Sequence, residues 1–284
     1  MTRSDTGTLT RAAMAAALAL ALGGVAGAQV RQQTVRPAPT ATPAPTAVPT
    51  PAASAAIVLA SPAVEVERLL LAYRTVDARA AVDAVKDRAV SDPAVALALG
   101  RVLDQEKKYA DAVAQLQKAA ALAAADPAGQ VFLGETYLRQ KNTAAATAAF
   151  TKAADLATKA TTANPLDTKA LYFLGVAQQR LRRFDLATAS LTKARELDPS
   201  NPLTSYQLGA TAAFQQRWQD AVAELTKAVD ADSGIAYAYY YRALAQDKLG
   251  KKDQLVLDME RFLALAPAAP EAEQAAAIVK AAKR

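Results

Sequence analysis

Residues 168–201 read TKALYFLGVAQQRLRRFDLATASLTKARELDPSN, and the fold turns on this stretch. Large apolar residues at Leu171, Leu174 and Leu191 recur at helical spacing, and small residues stand at Gly175, Ala187 and Ala194. The same pattern returns along the chain. Gly100, Gly134, Gly175, Gly209 and Ala243 follow one another at intervals of 34, 41, 34 and 34 residues. Ala112, Ala146, Ala187, Ala221 and Leu255 keep those intervals, as do Ala119, Ala153, Ala194, Ala228 and Phe262. A fixed period of this length marks a repeat architecture, and it takes precedence over any local motif.

The spacing predicts that each unit is two antiparallel helices, A and B. Gly175 and Ala187 let the two backbones approach, and Ala194 does the same for the next unit. Asp92-Pro93, Asp126-Pro127 and Asn201-Pro202 predict helix starts, since Asp or Asn caps free N–H groups and Pro fits the first helical turn. The 41-residue interval carries a 7-residue insertion, which predicts a helix B lengthened by about two turns over Ala153–Ala163. Leu255 and Phe262 replace small residues in the last unit and predict a looser or altered contact with the final helix.

The units resemble the tetratricopeptide repeat (TPR). The residues that carry the resemblance include Leu171 to Gly175, Phe184, Ala187, Leu191, Ala194 and Pro199, with Leu208-Gly209, Trp218, Ala221 and Leu225 in the next copy. Tyr239, Ala243 and Met259 mark the last copy, and the first two copies add Tyr109, Leu116, Tyr137 and Phe150. The resemblance covers residues 93–269 in units 93–126, 127–167, 168–201, 202–235 and 236–269. It implies an all-α, right-handed solenoid of antiparallel helix pairs, with the A helices lining a concave groove that holds a partner peptide.

Register places certain side chains in that groove. They are Leu97, Arg101 and Asp104, then Val131, Phe132, Glu135 and Arg139, then Lys169, Tyr172, Phe173, Val176 and Arg180. Tyr206, Gln207 and Phe214 follow, and Tyr237, Tyr240, Tyr241, Leu244 and Lys248 complete the set. Tyr suits peptide recognition because a rigid apolar ring carries a polar tip. Two readings of the Tyr237, Tyr240 and Tyr241 cluster stand side by side: a binding surface, or packing beneath the final helix. Tyr239 and Trp218 read as core. A carboxylate clamp of the chaperone-binding kind needs Lys and Asn on successive A helices, and of Leu97, Arg101, Phe132, Lys169 and Phe173 only Lys169 fits in kind.

Both ends of the array read as caps. Residues 63–92 form an N-terminal helix pair or diverged repeat, with Leu69, Leu70, Tyr73, Val76, Val82 and Val85 on apolar faces. Residues 270–284 form a C-terminal capping helix, acidic at Glu271 and Glu273 and basic at Lys280 and Lys283 to match the helix dipole.

Residues 1–28 read as a secretory signal: basic Arg3 and Arg11, apolar Ala12 to Val25, and a small-residue site at Ala26-Gly27-Ala28 that would leave Gln29 first. No Cys follows for lipid attachment. An uncleaved N-terminal anchor is the other reading, and only then is a membrane a partner. Residues 29–62 hold half of the 14 prolines and predict an extended, polyproline-II-like linker, either a spacer or a tail left by signal processing.

Composition excludes several chemistries. The 284 residues contain no Cys and no His, so disulfides, thiol nucleophiles, Cys/His zinc sites and His-based triads are absent. The net charge of +6 is scattered. Lys107-Lys108, Arg182-Arg183 and Lys251-Lys252 lie in turns, and Lys118, Lys152, Lys193, Lys227 and Arg261 lie on a solvated helix-B face, so no nucleic-acid partner is expected. Glu65/Glu67, Asp230/Asp232 and Glu271/Glu273 are spaced two apart and point to different helix faces. No catalytic residue, cofactor or metal is expected. The expectation is a non-catalytic interaction scaffold in the cell envelope, binding an envelope protein through its groove. A structural component acting through its outer faces or linker, and a membrane-anchored adaptor or accessory subunit of an envelope assembly, are the alternatives.

Overall fold

The computed structural model describes residues 62–283. The residues read as a secretory signal, with Ala28 and Gln29, and those read as a linker, up to residue 61, lie outside the described residues. Pro62, assigned to the linker above, opens the first helix.

Among the described residues the regular structure is all helical. Helices α1 (Pro62–Leu71) and α2 (Thr75–Asp83), with a short 3-10 turn at Lys86–Val90, precede five helix pairs. The A helices are α3 (Pro93–Gln105), α5 (Ala128–Arg139), α7 (Thr168–Arg180), α9 (Pro202–Phe214) and α11 (Ala236–Lys248). The B helices are α4 (Tyr109–Leu122), α6 (Thr143–Ala163), α8 (Phe184–Leu197), α10 (Trp218–Ala231) and α12 (Lys252–Leu265). Helix α13 (Ala272–Ala282) ends the array, which is the expected TPR-type solenoid.

Each pair is built the same way. One large side chain from helix B fills the gap left by the small residue of helix A: Leu116, Phe150, Leu191, Leu225 and Met259 are all buried. The fit is close. A Cβ on Gly175 would stand 2.5 Å from Leu191 Cγ, and one on Gly134 would stand 2.6 Å from Phe150 Cζ. Ala119, Ala153, Ala194 and Ala228 are buried at the joints between units. Phe262 holds that position in the last unit and is fully buried, against the rings of Tyr240 at 5.0 Å and Tyr237 at 5.5 Å. The contact there is altered rather than looser, because Tyr rings and α13 fill the space a further repeat would take.

Helix starts follow the capping residues. Asp92 accepts hydrogen bonds from the amides of Ala94 and Val95, Asp126 from Ala128, and Asn201 from Leu203. The A-to-B turns share one backbone device. Lys107, Lys141, Arg182, Gln216 and Gly250 all have positive φ, and the amide of the following residue bonds back to the helix, as Lys108 does to the Leu103 carbonyl at 2.9 Å. Tyr73, 34 residues before Lys107, has the same conformation with φ 55°. Val66, 34 residues before Gly100, is buried in the first hairpin. The first hairpin thus shares the turn conformation and spacing of the later pairs, but Val76, expected on an apolar face, is 83% exposed because it lies on the outer side of α2. Helix α6 runs 21 residues and ends before Asn164, so the insertion is absorbed as added helix.

Candidate interaction site on the concave face

Successive A helices present their exposed stripes to one side, and three ion pairs tie neighbouring helices together there. Glu67 of α1 pairs with Arg101 of α3, and Asp104 of α3 pairs with Arg139 of α5. Glu135 of α5 pairs with Arg180 of α7, with Oε1 accepting from Nε at 2.5 Å. Each carboxylate is answered by an arginine of the next unit, at separations of 34, 35 and 45 residues. The next step is uncharged. Gln179 of α7 donates to Thr211 Oγ1 of α9 at 2.8 Å and to the Gln207 carbonyl at 3.2 Å.

Burial sets the electrostatics of this ladder. Desolvation pulls Arg101 down to about 10, still charged at neutral pH. Desolvation also pulls on Arg180, but Glu135 and the hydroxyls of Tyr241 and Tyr206 outweigh it and raise the group. Burial lifts the Asp104 carboxyl above its ordinary value, although Arg139 opposes the shift.

Aromatic rings line the rest of the face. The Arg101 guanidinium sits 4.1 Å over the Phe132 ring. Phe132 meets Phe173 edge-on at 6.2 Å, and Phe173 meets Tyr172 edge-on at 5.2 Å. Tyr206 and Tyr241 lie 6.3 Å apart, and Tyr241 and Tyr237 6.5 Å apart. Burial raises the hydroxyls of Tyr172, Tyr206, Tyr237 and Tyr241 above the usual tyrosine value.

The face does not stay open as a groove. The Tyr73 ring lies 6.2 Å from that of Tyr237, which joins the first hairpin to the fifth unit. Beside it, Ala72 Cβ is 3.7 Å from where a Cβ on Gly234 would stand. The Tyr237 hydroxyl donates to Glu271 Oε2 at 2.6 Å, which adds the C-terminal segment to the junction. The concave face thus becomes a pocket of about 230 Å³, walled by residues from α1 to Pro270.

The pocket gathers many of the residues placed in the groove by register: Arg101, Asp104, Val131, Phe132, Glu135, Arg139, Tyr172, Phe173, Val176, Arg180, Tyr206, Gln207 and Tyr237. Others lie elsewhere. Leu97 packs at the joint between units, against buried residues such as Ala96, Ala119 and Leu133. Lys169 is exposed and pairs with Asp126 at 2.5 Å. Phe214 stacks on Phe184 at 5.9 Å and meets Tyr241 at 6.0 Å. Tyr240 is 6% exposed and belongs to the core cluster with Phe262. Tyr241 and Leu244 pack against that cluster, and Lys248 is exposed in the last turn of α11. Tyr239 is buried, with Arg242 and Arg261 over its ring at 5.5 and 5.9 Å, and Trp218 packs against the same core.

Sequence reading missed Glu67, Tyr73, Leu203 and Pro270 as pocket residues. The signal for the first two was the period itself, since Glu67 stands 34 residues before Arg101 and Tyr73 34 before Lys107. Among the described residues no cluster of acidic side chains could hold a metal ion, and no helix is long and apolar enough to cross a membrane.

Comparison with known proteins agrees with this geometry. Residues 168–201 match the tetratricopeptide repeat profile. The crystal structure of a thermophilic TPR protein from Thermus thermophilus superposes with a TM-score of 0.54 at 18% identity, covering 66% of this chain and 100% of that one. YrrB, a TPR protein with an unusual peptide-binding site, gives a TM-score of 0.42 at 19% identity over 70% of this chain and 97% of its own. MamA gives 0.40 at 18% identity over 64% and 94%. No curated protein matches the sequence. With one repeat matched outright, its residues recurring in register, and the helix pairs stacked as in the Thermus protein, residues 168–201 form a tetratricopeptide repeat and the fold is of the TPR type.

Proposed function

We propose that this protein is a non-catalytic interaction scaffold of the cell envelope, exported by its N-terminal segment, and that its concave pocket receives a segment of a partner protein. TPR proteins are in general non-catalytic interaction scaffolds, and the fold supports the first part of this reading. The observation that carries it is the pocket: every A helix from α3 to α11 contributes to one concave wall, and that wall is rich in aromatic side chains. Concave, mostly apolar surfaces with a few placed polar groups are where proteins take ligands. Each carboxylate on the wall is engaged by an arginine, which leaves none free for acid–base work. The signal-like residues 1–28 support the assignment to the envelope.

Photocrosslinking tests this reading. A benzophenone amino acid at Phe173, half-buried in the pocket wall, is introduced into the full chain in cells. The expected result is one dominant adduct with another envelope protein, together with an intact mass that begins at Gln29. Adducts only within the chain itself, or a cytosolic protein as the dominant adduct, would overturn the proposal.

A further inference from the structure

We infer that the group this pocket selects is an uncharged aromatic ring, presented as a Trp, Tyr or Phe side chain of the partner segment. The inference rests on the pocket being the binding site proposed above. Three observations lead to it. First, the ladder pairs the more deeply set charges of the wall, and the other cation on the lining, Lys107, is exposed in the α3–α4 turn. The ladder's three carboxylates and three guanidinium groups are already committed to one another between helices. Deep in the pocket an incoming carboxylate would have to break one of these pairs or stay unpaired where burial already depresses a guanidinium, and an ammonium would find only Asp104 Oδ1, an atom already buried beside Arg139. An uncharged group meets neither obstacle.

Second, the wall offers aromatic edges and faces. Phe132, Phe173 and Tyr172 form an edge-to-face run, and a further ring at about 4.5–7 Å would extend it in the geometry that aromatic pairs prefer. Beside them Val131 and Val176, both nearly inaccessible to solvent, give an aliphatic surface to the same pocket. Third, the size fits. The volume of about 230 Å³ exceeds the roughly 150 Å³ in which a benzene ring is held within a protein interior. It accommodates a phenol or an indole, and the end-to-end closure limits what can follow.

The test is a titration of the intact protein followed by the NMR shifts of the Val131 and Val176 methyl groups. The probes are N-acetyl-L-tryptophanamide, N-acetyl-L-phenylalaninamide and free indole, compared with the blocked amides of lysine and glutamate. The inference predicts saturable shifts with the blocked aromatic amides and at least about tenfold weaker binding of the charged amides. It also predicts affinity that changes less than about twofold from low to high salt, because no ion pair forms on binding. Val176→Phe fills the pocket and abolishes the shift at Val131. Phe173→Ala, on the open side of the wall, weakens binding by about tenfold while the circular dichroism spectrum stays helical.

Equal or tighter binding of a charged amide overturns the inference, and so does the absence of saturation by any aromatic probe. Saturation by indole but not by the blocked amides keeps the aromatic selectivity and overturns the partner segment as its source. If partner adducts at Phe173 persist while every aromatic probe fails, the scaffold reading stands and the ring inference falls.

Discussion

The ring of Tyr73 sits 6.2 Å from the ring of Tyr237, and the two residues belong to opposite ends of the solenoid. The hydroxyl of Tyr237 continues the contact into the C-terminal segment through Glu271. One pair of rings brings about 0.5–1.5 kcal/mol beyond its buried area. The closure is therefore a weak fastening laid over strong local packing, and it converts a curved array of helix pairs into a bounded pocket.

Local packing is where single substitutions cost most. In Gly134→Ala the added methyl would stand 2.6–2.8 Å from three atoms of the buried Phe150 ring. A ring cannot fold aside as a flexible chain can, so overpacking of about 1–3 kcal/mol outweighs the better helix propensity of Ala. Urea unfolding should show a midpoint lowered accordingly, with an unchanged slope.

The strongest ion pair among the described residues on grounds of geometry and burial is Arg242–Asp258. Both guanidinium contacts are 2.7 Å, and the side chains are 15% and 8% exposed. Asp258→Ala leaves a largely buried guanidinium without its bidentate acceptor and should cost about 3 kcal/mol. Asp220→Ala, which removes an exposed partner of Arg217, should change stability by less than about 0.5 kcal/mol. Thermal denaturation of the two variants gives the comparison.

Alkaline pH should unfold this protein through its tyrosines. Burial raises Tyr73, Tyr172, Tyr206, Tyr237, Tyr240 and Tyr241 in the folded chain. Below the ordinary tyrosine value of about 10, both states keep these protons and the groups have no effect on the balance. Above about 10 the unfolded chain releases them first, so it binds fewer protons than the folded chain and stability falls as pH rises. From about neutral pH to about pH 10 the melting temperature should be flat, and it should drop beyond that. Tyrosinate absorbance should show a fraction of the nine tyrosines that ionise only with unfolding.

Tyr240 and Phe173 separate packing from binding. Tyr240, on the core side of α11 against Phe262, should cost about 3–5 kcal/mol when changed to Ala. Phe173 is half-buried and faces the pocket, so its Ala variant should lose under about half of that, while the aromatic-probe binding described above weakens about tenfold. Parallel unfolding and binding measurements on the two variants check both statements.

The helix pairs are legible in the sequence because each is specified locally. A small residue such as Gly175, a large one such as Leu191 sixteen positions on, and a capping Asn or Asp are all read within one unit. Much of the concave wall is legible too, since register alone places Phe132, Glu135, Tyr172 and Arg180 there. Tyr240 departs from that wall because the last unit must cover its own exposed end, and Phe262 draws the ring inward. Lys169 leaves it because Asp126, in the turn before α5 one unit earlier, lies within reach of its ammonium. The closure was not legible. It depends on small rotations accumulated from one pair to the next, which no single unit encodes, and it joins residues more than 160 positions apart.

One disulfide between the first hairpin and the turn before the fifth unit reports on the closure. The chain has no cysteine, so Ala72→Cys combined with Gly234→Cys supplies its only two thiols. The Cβ separation of 3.7 Å lies inside the range of about 3.5–4.5 Å that a disulfide needs, and Gly234 does not hold a positive φ. Dilute air oxidation of the folded protein followed by alkylation and intact mass should show a monomer with both thiols consumed by an intramolecular bond. A folded monomer that takes up two alkyl groups, or that crosslinks only to a second copy, would contradict the closed solenoid.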